Sequence, residues 1–412
     1  MMMKGNMIQI KGKYNTATIF IDELDNFTRD QIQNMVNHPA FAKTRISIMP
    51  DTHAGKGSVI GFTMRLNGYV IPNIVGVDIG CGMLAYNMGN SNLTVKHQID
   101  LKLFDEFIKE NIPCGFNINK EYPDQCDITS EFLMQLKTVC LKTNQSIERV
   151  LYSMGTLGGG NHFIEIDKAP DGDIWFVIHT GSRNFGLQIA NWHQNKAKNL
   201  SKTMFIEEDK YKDLEYLPMD HGGREYCADM QIAQQYACEN REMIAQKILK
   251  RFFKPGVVAK DRIETVHNYI SFKDNIVRKG AVSAHLDERL LIPFNMRDGV
   301  AICKGKGNLR YNFSAPHGAG RISSRTKAKA TISMDTFKKS MEGIYSSCIS
   351  ERTLDESPDA YKDMNIILNN IKDTVDVEFL MKPIYNFKAE EEDKPWKKRK
   401  EAKRKAAENA KN

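Results

Sequence analysis

The sequence predicts an α+β fold, a single compact domain of mixed sheets and helices, and three observations lead there. Segments with strand character and segments with helix character interleave without the regular alternation that a doubly wound parallel sheet requires. No internal repeat recurs, and no Ser/Gly/Pro-rich linker divides the first 388 residues. At 412 residues and 41 % apolar content, the chain is long enough to bury a substantial core.

Taken in order, strands are expected where β-branched and aromatic residues cluster: Ala17–Ile21, Arg45–Met49, Ser58–Met64, Asn73–Val77, Phe163–Ile166, Ile174–His179 and Ala301–Cys303. Helices are expected where apolar residues recur at three- and four-residue spacing: Thr28–Asn37, Leu101–Glu110, Ser130–Tyr152, Arg183–Leu200, Tyr226–Phe253, Met334–Met341 and Ala360–Ile371. No apolar run approaches the roughly 18 residues of a membrane span, and the first residues lack the apolar stretch of a secretory signal. A cytoplasmic protein with no membrane association is therefore expected. The eight cysteines are scattered without a Cys-x-x-Cys pair, as expected of reduced thiols, and only Cys81 has a chemically suggestive setting.

The net charge of +7 is concentrated at one end. Residues 394–412 hold nine Lys/Arg against two Glu, which accounts for all of it, so the body is neutral overall. The expected division is a catalytic domain over residues 1–389 and a basic tail over 390–412, the tail adding non-specific affinity for phosphate.

Gly-rich breaks stand beside the residues with most chemistry. They are Val77–Met83 (VDIGCGM), Leu157–Phe163 (LGGGNHF), His179–Arg183 (HTGSR) and Ser314–Arg321 (SAPHGAGR). Glycine allows the close backbone approach and positive φ that phosphate and metal sites use. Asp78, Cys81, His162, His179 and His267 supply a carboxylate, a thiolate and three imidazoles from four separated segments. That set suffices for two ions if Cys81 bridges, and a pair of ions suits phosphoryl chemistry. Asp78 and Cys81 are three residues apart, so a turn at Gly80 is needed to bring them to one side. Thiolate and imidazole softness points to zinc or iron.

Asn161, Arg183, Arg321 and Arg325 lie in or beside the glycine turns, where backbone N–H groups and guanidinium forks share the charge of a phosphate. Strand alternation from Asn161 places Asn161 and Glu165 on one face and His162 on the other. His317, between Pro316 and Gly318, is placed to act as a nucleophile whose imidazole nitrogen takes a nucleotidyl group as a phosphoramidate. Such a ring needs an orienting partner, for which Asp51 in MPDTHAG is the candidate.

The motifs GVDIGCGM, GGGNHFIE, HTGSR, VHNY and PHGAGR followed by SRTKAKA resemble, in order and spacing, those of the RtcB family of RNA ligases. The resemblance runs from about residue 45 to Lys388. It implies a compact family fold around a dinuclear site, two Mn²⁺ ions and GTP as cofactors, Cys81 bridging the ions, and Asp78, His162, His179 and His267 completing their shells. His317 would be the guanylylated histidine and Asp51 its orienting residue. Asn161 and Arg183 would contact phosphate, with the loop Gly318, Ala319, Gly320 and Arg321 around it, while Glu165, Tyr361 and Lys388 would hold guanine.

Two departures stand out. The segment that reads IPGSM in many family members is Ile292-Pro293-Phe294-Asn295-Met296 here, which leaves Asn295 to hydrogen bond to the nucleotide where a serine stands elsewhere. A second such serine falls at Val300. The implied activity is GTP- and Mn-dependent joining of 2′,3′-cyclic phosphate or 3′-phosphate RNA ends to 5′-hydroxyl ends through a histidine–GMP intermediate. The partners would be broken tRNA or similarly structured RNA and an archease-type activator. A dinuclear metal phosphoesterase or nuclease, with His317 as general acid, competes with this reading and predicts turnover without GTP. A nucleic-acid-binding factor dominated by its tail is the non-enzymatic alternative.

Overall fold

The strand Ile46–His53, buried along nearly its whole length, lies inside the first of two main sheets. The computed structural model describes residues 7–89, 100–123, 128–203, 211–253 and 259–389. The expected tail over 390–412 and Cys126 lie outside these residues. The first sheet has six strands in the order Ile8–Lys11, Thr16–Ile19, Ile46–His53, Ile60–Arg65, Ile276–Lys279 and Asn268–Ser271. All neighbours are antiparallel except Thr16–Ile19 with Ile46–His53. The second has seven, in the order Asp261–Val266, Gly82–Gly89, Ile174–Thr180, Phe163–Lys168, Val375–Lys388, Val300–Gly305 and Arg289–Pro293, all antiparallel.

Helices cover these sheets with their apolar stripes. Ile32, Met35 and Val36 of the helix Asn26–Val36 join Ile46, Ile48 and Phe62 of the first sheet in one core, together with Tyr226, Met230 and Ala233 from the helix Arg224–Phe252. The far end of that same helix packs Ile244, Ile248 and Phe252 against Leu84, Ile164 and Ile178 of the second sheet. Met83, Ala85 and Val177, which alternate with those residues, face a further core with Leu291 and Ile302. One 29-residue helix therefore braces both sheets. Among the described residues no helix is long and apolar enough to cross a membrane.

The α+β expectation holds, and several boundaries move for identifiable reasons. Asn73–Val77 is not a strand. Pro72 opens a short helix, Pro72–Val75, because its fixed φ is already helical at the first position, and Gly76 at φ 100° ends it. Ser130–Tyr152 divides into Ser130–Lys142 and Ile147–Tyr152, with Asn144 at φ 55° in the break and the Ser146 hydroxyl accepting from the Arg149 N–H to cap the second piece. Ala360–Ile371 shortens to Met364–Asn370, capped by Asp363. The strand expected from Asn161 begins at Phe163, so Asn161 and His162 sit in the preceding turn.

Candidate metal and nucleotide site

Sheet register gathers the candidate ligands at one end of the second sheet. Gly82 is paired on one side with Thr180 and on the other with Val266, and Phe163 is paired with His179. Cys81 precedes its strand, His267 follows its own, His162 precedes a third and His179 sits near the end of a fourth, so antiparallel pairing puts all four at the same edge. The His267 N–H donates to the Cys81 carbonyl at 2.9 Å, locking two of these corners together. Asp78 reaches the cluster through the expected turn, in which Gly80 has φ 72° and the Cys81 N–H donates to the Asp78 carbonyl. Glycine is required at 181, where a Cβ would lie 2.2 Å from Asp78 Oδ1.

The donor atoms form two overlapping groups, Cys81–His179–His267 and Asp78–Cys81–His162, in each of which the ligand atoms lie within 4.8 Å of one another. Cys81 is common to both. His162 Nδ1 is 2.8 Å from the Leu157 carbonyl and His179 Nδ1 is 3.2 Å from the Asn161 carbonyl. A carbonyl only accepts, so each Nδ1 carries a proton, and each ring turns its Nε2 toward Cys81, the orientation of carbonyl-held metal-binding histidines. His162 Nε2 lies 3.5 Å from Cys81 Sγ and 3.0 Å from Asp78 Oδ2, and His179 Nε2 lies 3.4 Å from both Cys81 Sγ and His267 Nε2.

Burial drives His179 and His267 well below the ordinary histidine pKa, so both rings are neutral. Burial and the nearby Asp78 charge push the Cys81 thiol well above its usual value. Lone pairs and a thiol converging in a buried space are stabilised by a divalent cation, which favours thiolate over thiol. The residues present therefore fit a metal site.

His317 stands beside this cluster, its ring centroid 4.8 Å from that of His267. Its Nδ1 is 2.6 Å from Asp51 Oδ2, and Asp51 is fully buried. The Nδ1 proton is thus committed to the carboxylate, leaving Nε2 as an accessible lone pair on a side chain 16 % exposed. The loop after His317 rides directly on the Asp51 strand. A Cβ on Gly320, at φ 73°, would lie 2.1 Å from the Asp51 carbonyl oxygen, so only glycine allows this approach.

A cavity of about 650 Å³ opens between the sheets and collects most of the expected residues. The metal side contributes Asp78, Cys81, His179 and His267, and the nucleophile loop contributes His317, Gly318, Ala319, Gly320 and Arg321. Asn161, Glu165, Asn295, Tyr361 and Lys388 line the remainder. Glu165 accepts from the Asn386 amide, and burial raises its carboxyl to about 7 despite that bond and the Lys388 charge. Lys388 Nζ donates to the Asn161 carbonyl at 3.1 Å. Asn295 reaches the cavity wall, but its side chain bonds to Asp298 Oδ2 and to the N–H groups of Arg297 and Asp298.

Arg183 is not in this cavity. With His162 and Asp78 it lines a second one of about 790 Å³, its guanidinium held by Thr156 Oγ1 at 3.1 Å and the Gly115 carbonyl at 2.8 Å. Asp78 lines both cavities.

Several residues that shape the site carry no motif. Arg241, fully buried, donates to the carbonyls of Gly80 at 2.9 Å and Thr180 at 3.0 Å, each next to a candidate ligand, and pairs with Glu264. Asn240 beside it holds Thr156 and Gly181. Lys362 clasps the carbonyls on either side of Asp51, Pro50 at 2.9 Å and Thr52 at 2.8 Å. His53 lines the cavity with its Nδ1 3.0 Å from the Asp51 carbonyl, and its place in MPDTHAG was the available signal.

Fold and site together define a class: a mixed helix-and-sheet protein with a cluster of cysteine thiol, imidazoles and a carboxylate suited to divalent ions, facing a histidine oriented by a buried aspartate. Comparison with known proteins makes this specific. The chain belongs to the RtcB family, whose model, described as tRNA-splicing ligase RtcB, matches residues 31–389. It is 31 % identical to the RNA-splicing ligase RtcB of Escherichia coli K12, over 86 % of this chain and 92 % of that protein. The tRNA-splicing ligases RtcB of Nanoarchaeum equitans (28 % identity, 82 % and 86 % covered) and Methanococcus maripaludis (26 %, 87 % and 91 %) are similar along most of their length.

Proposed function

We propose that the protein is a cytoplasmic RNA ligase that joins 2′,3′-cyclic phosphate or 3′-phosphate RNA ends to 5′-hydroxyl ends, using GTP and Mn²⁺. Family membership and the ligase names of its relatives support the class of reaction. The observation that carries the mechanism is His317, with Nδ1 held by buried Asp51 and Nε2 free in the cavity that the donor cluster also lines. Asp78, Cys81, His162, His179 and His267 would hold two Mn²⁺ ions, Cys81 being common to both donor groups. Bound there, the ions would offset charge on the entering and leaving phosphate oxygens.

In the first step His317 Nε2 attacks the GTP α-phosphate, forming an N–P bond as the bond to pyrophosphate breaks. Asp51 balances the positive charge that the ring acquires while Nδ1 keeps its proton. A cyclic phosphate end is opened by water to a 3′-phosphate, whose oxygen takes GMP from His317 and frees the imidazole. The 5′-hydroxyl oxygen then attacks this activated phosphate, losing its proton as GMP departs. Activation is needed because a bare phosphate has no good leaving group. Glu165, Tyr361 and Lys388 hold guanine, and Asn161, Arg321 and the loop Gly318 to Gly320 serve the phosphates. The RNA is a broken tRNA or similarly structured molecule, with an archease-type activator as accessory partner.

Joining assays with one 3′-phosphate and one 5′-hydroxyl RNA, with and without GTP, test this reading. Joining only with GTP is expected. GTP-independent cleavage would instead support the phosphoesterase reading.

A further inference from the structure

Behind the wall of the cavity that His317 lines is a carboxylate that does not itself line it. Glu356 ends the short helical turn Leu354–Glu356 and is 2 % exposed. Its Oε1 is 3.2 Å from Arg321 Nη1 and 2.9 Å from Arg325 Nη1, and its Oε2 is 2.9 Å from Lys388 Nζ and accepts the Tyr361 hydroxyl. All four of these donors line the cavity. The Arg321 guanidinium also lies over the Tyr361 ring, 5.2 Å from its centroid. Neighbouring Asp355 takes Arg325 at 2.9 Å and Lys329 at 3.1 Å, leaving Glu356 the shared anion for Arg321, Lys388 and Tyr361. Burial alone would raise the Glu356 carboxyl, but Lys388, Arg325, Arg321 and the Tyr361 hydroxyl bring it down to about 2, so it is ionised at any working pH.

Three cations and a phenol on one cavity wall have no reason to hold a common geometry without a counter-charge. One carboxylate with two oxygens and four donors fixes their spacing, as preorganised recognition requires. We propose that Glu356 is a positioning residue for nucleotide recognition, holding Lys388 and Tyr361 against the guanine and Arg321 toward the phosphates. This rests on the reading that the cavity takes GTP. Its burial keeps Glu356 out of the nucleotide's reach, so it acts only through these partners.

Every partner of Glu356 is a donor. In Glu356→Gln the new amide nitrogen must face either the arginine pair or Lys388 and Tyr361, and since only the Tyr361 hydroxyl can turn to accept from it, at least one cation loses its partner in either orientation. Steady-state RNA joining with Mn²⁺ and labelled GTP is expected to show KM for GTP raised about tenfold or more with kcat nearly unchanged, the pattern of lost uniform binding. Competitive inhibition by guanosine, which has no phosphate, should weaken by a similar factor, and Glu356→Asp should recover part of the loss.

A purely structural role would lower the melting temperature and leave KM and guanosine inhibition as in the wild type, and that result overturns the proposal. If Glu356→Gln does not fold, Glu356→Asp decides alone. Its shortened carboxylate should still raise KM, and a wild-type KM in that variant is equally contrary. Failure of the wild type to label at all would count against the ligase reading, not against Glu356.

Discussion

Replacing Asp51 by Asn isolates the orientation of the nucleophile from everything else in the cavity. The bond from His317 Nδ1 to Asp51 Oδ2 is 2.6 Å long and fully buried on the carboxylate side, and it is the contact that commits the Nδ1 proton and leaves Nε2 to attack. In the proposed reaction the imidazole gains positive charge as it takes on the nucleotidyl group, so the carboxylate would stabilise the transition state more than the resting ring. Bonds to charged groups contribute about 1.5–3 kcal/mol. At roughly 1.4 kcal/mol per factor of ten, losing that charge slows adduct formation by about 10- to 100-fold. The amide oxygen can still accept from Nδ1, so the effect should fall short of complete loss, whereas Asp51→Ala should be more severe. Single-turnover labelling with α-labelled GTP at saturating nucleotide measures this step, and equilibrium GTP binding should change little. Labelling of Asp51→Asn at the wild-type rate would refute the orienting role.

Three further outcomes are expected. In the proposed pocket Glu165 can accept from two guanine N–H groups at once, one on each oxygen, only when ionised, and with its carboxyl raised to about 7 by burial the ionised form gains as pH rises through that value. KM for GTP should therefore fall between pH 6 and pH 8 in the wild type and be flat in Glu165→Gln, a comparison made by KM titration at each pH. Cys81 belongs to both donor groups while His267 belongs to one, so Mn²⁺ titration calorimetry should find both ions weakened in Cys81→Ala but only one in His267→Ala. Deleting residues 390–412 should leave self-guanylylation intact and reduce RNA affinity chiefly at low salt, read from binding isotherms across ionic strength.

Four of the candidate ligands, Asp78, Cys81, His162 and His179, stood out in the sequence because they stand beside glycine turns, where chemistry-bearing side chains are few, whereas His267 has no glycine near it in the chain. What brings them together was not legible. The strand Gly82–Gly89, buried along its whole length, shows none of the alternation that marks a half-exposed strand, yet its pairing on both sides builds the metal edge. The strand Val375–Lys388 carries Lys388 to the cavity wall, but a register shift around Pro383 interrupts its pattern. Pro72 turned an expected strand into a helix, a start signal that β-branched enrichment outweighed on paper. Glu356, Lys362 and Arg241 act on residues far away in the chain, a relation no local spacing reveals. Arg183 was placed with the phosphate-binding set, and the fold puts its guanidinium on the far side of Asp78, in the second cavity.

The central claim is that one histidine becomes covalently joined to a guanosine phosphate. Incubating the protein with Mn²⁺ and GTP, then mapping the acid-labile added mass by peptide fragmentation, tests it most directly. A GMP adduct on His317 that is lost in His317→Ala is the predicted result. An adduct on another residue, or RNA joining by a protein that never acquires one, would contradict it.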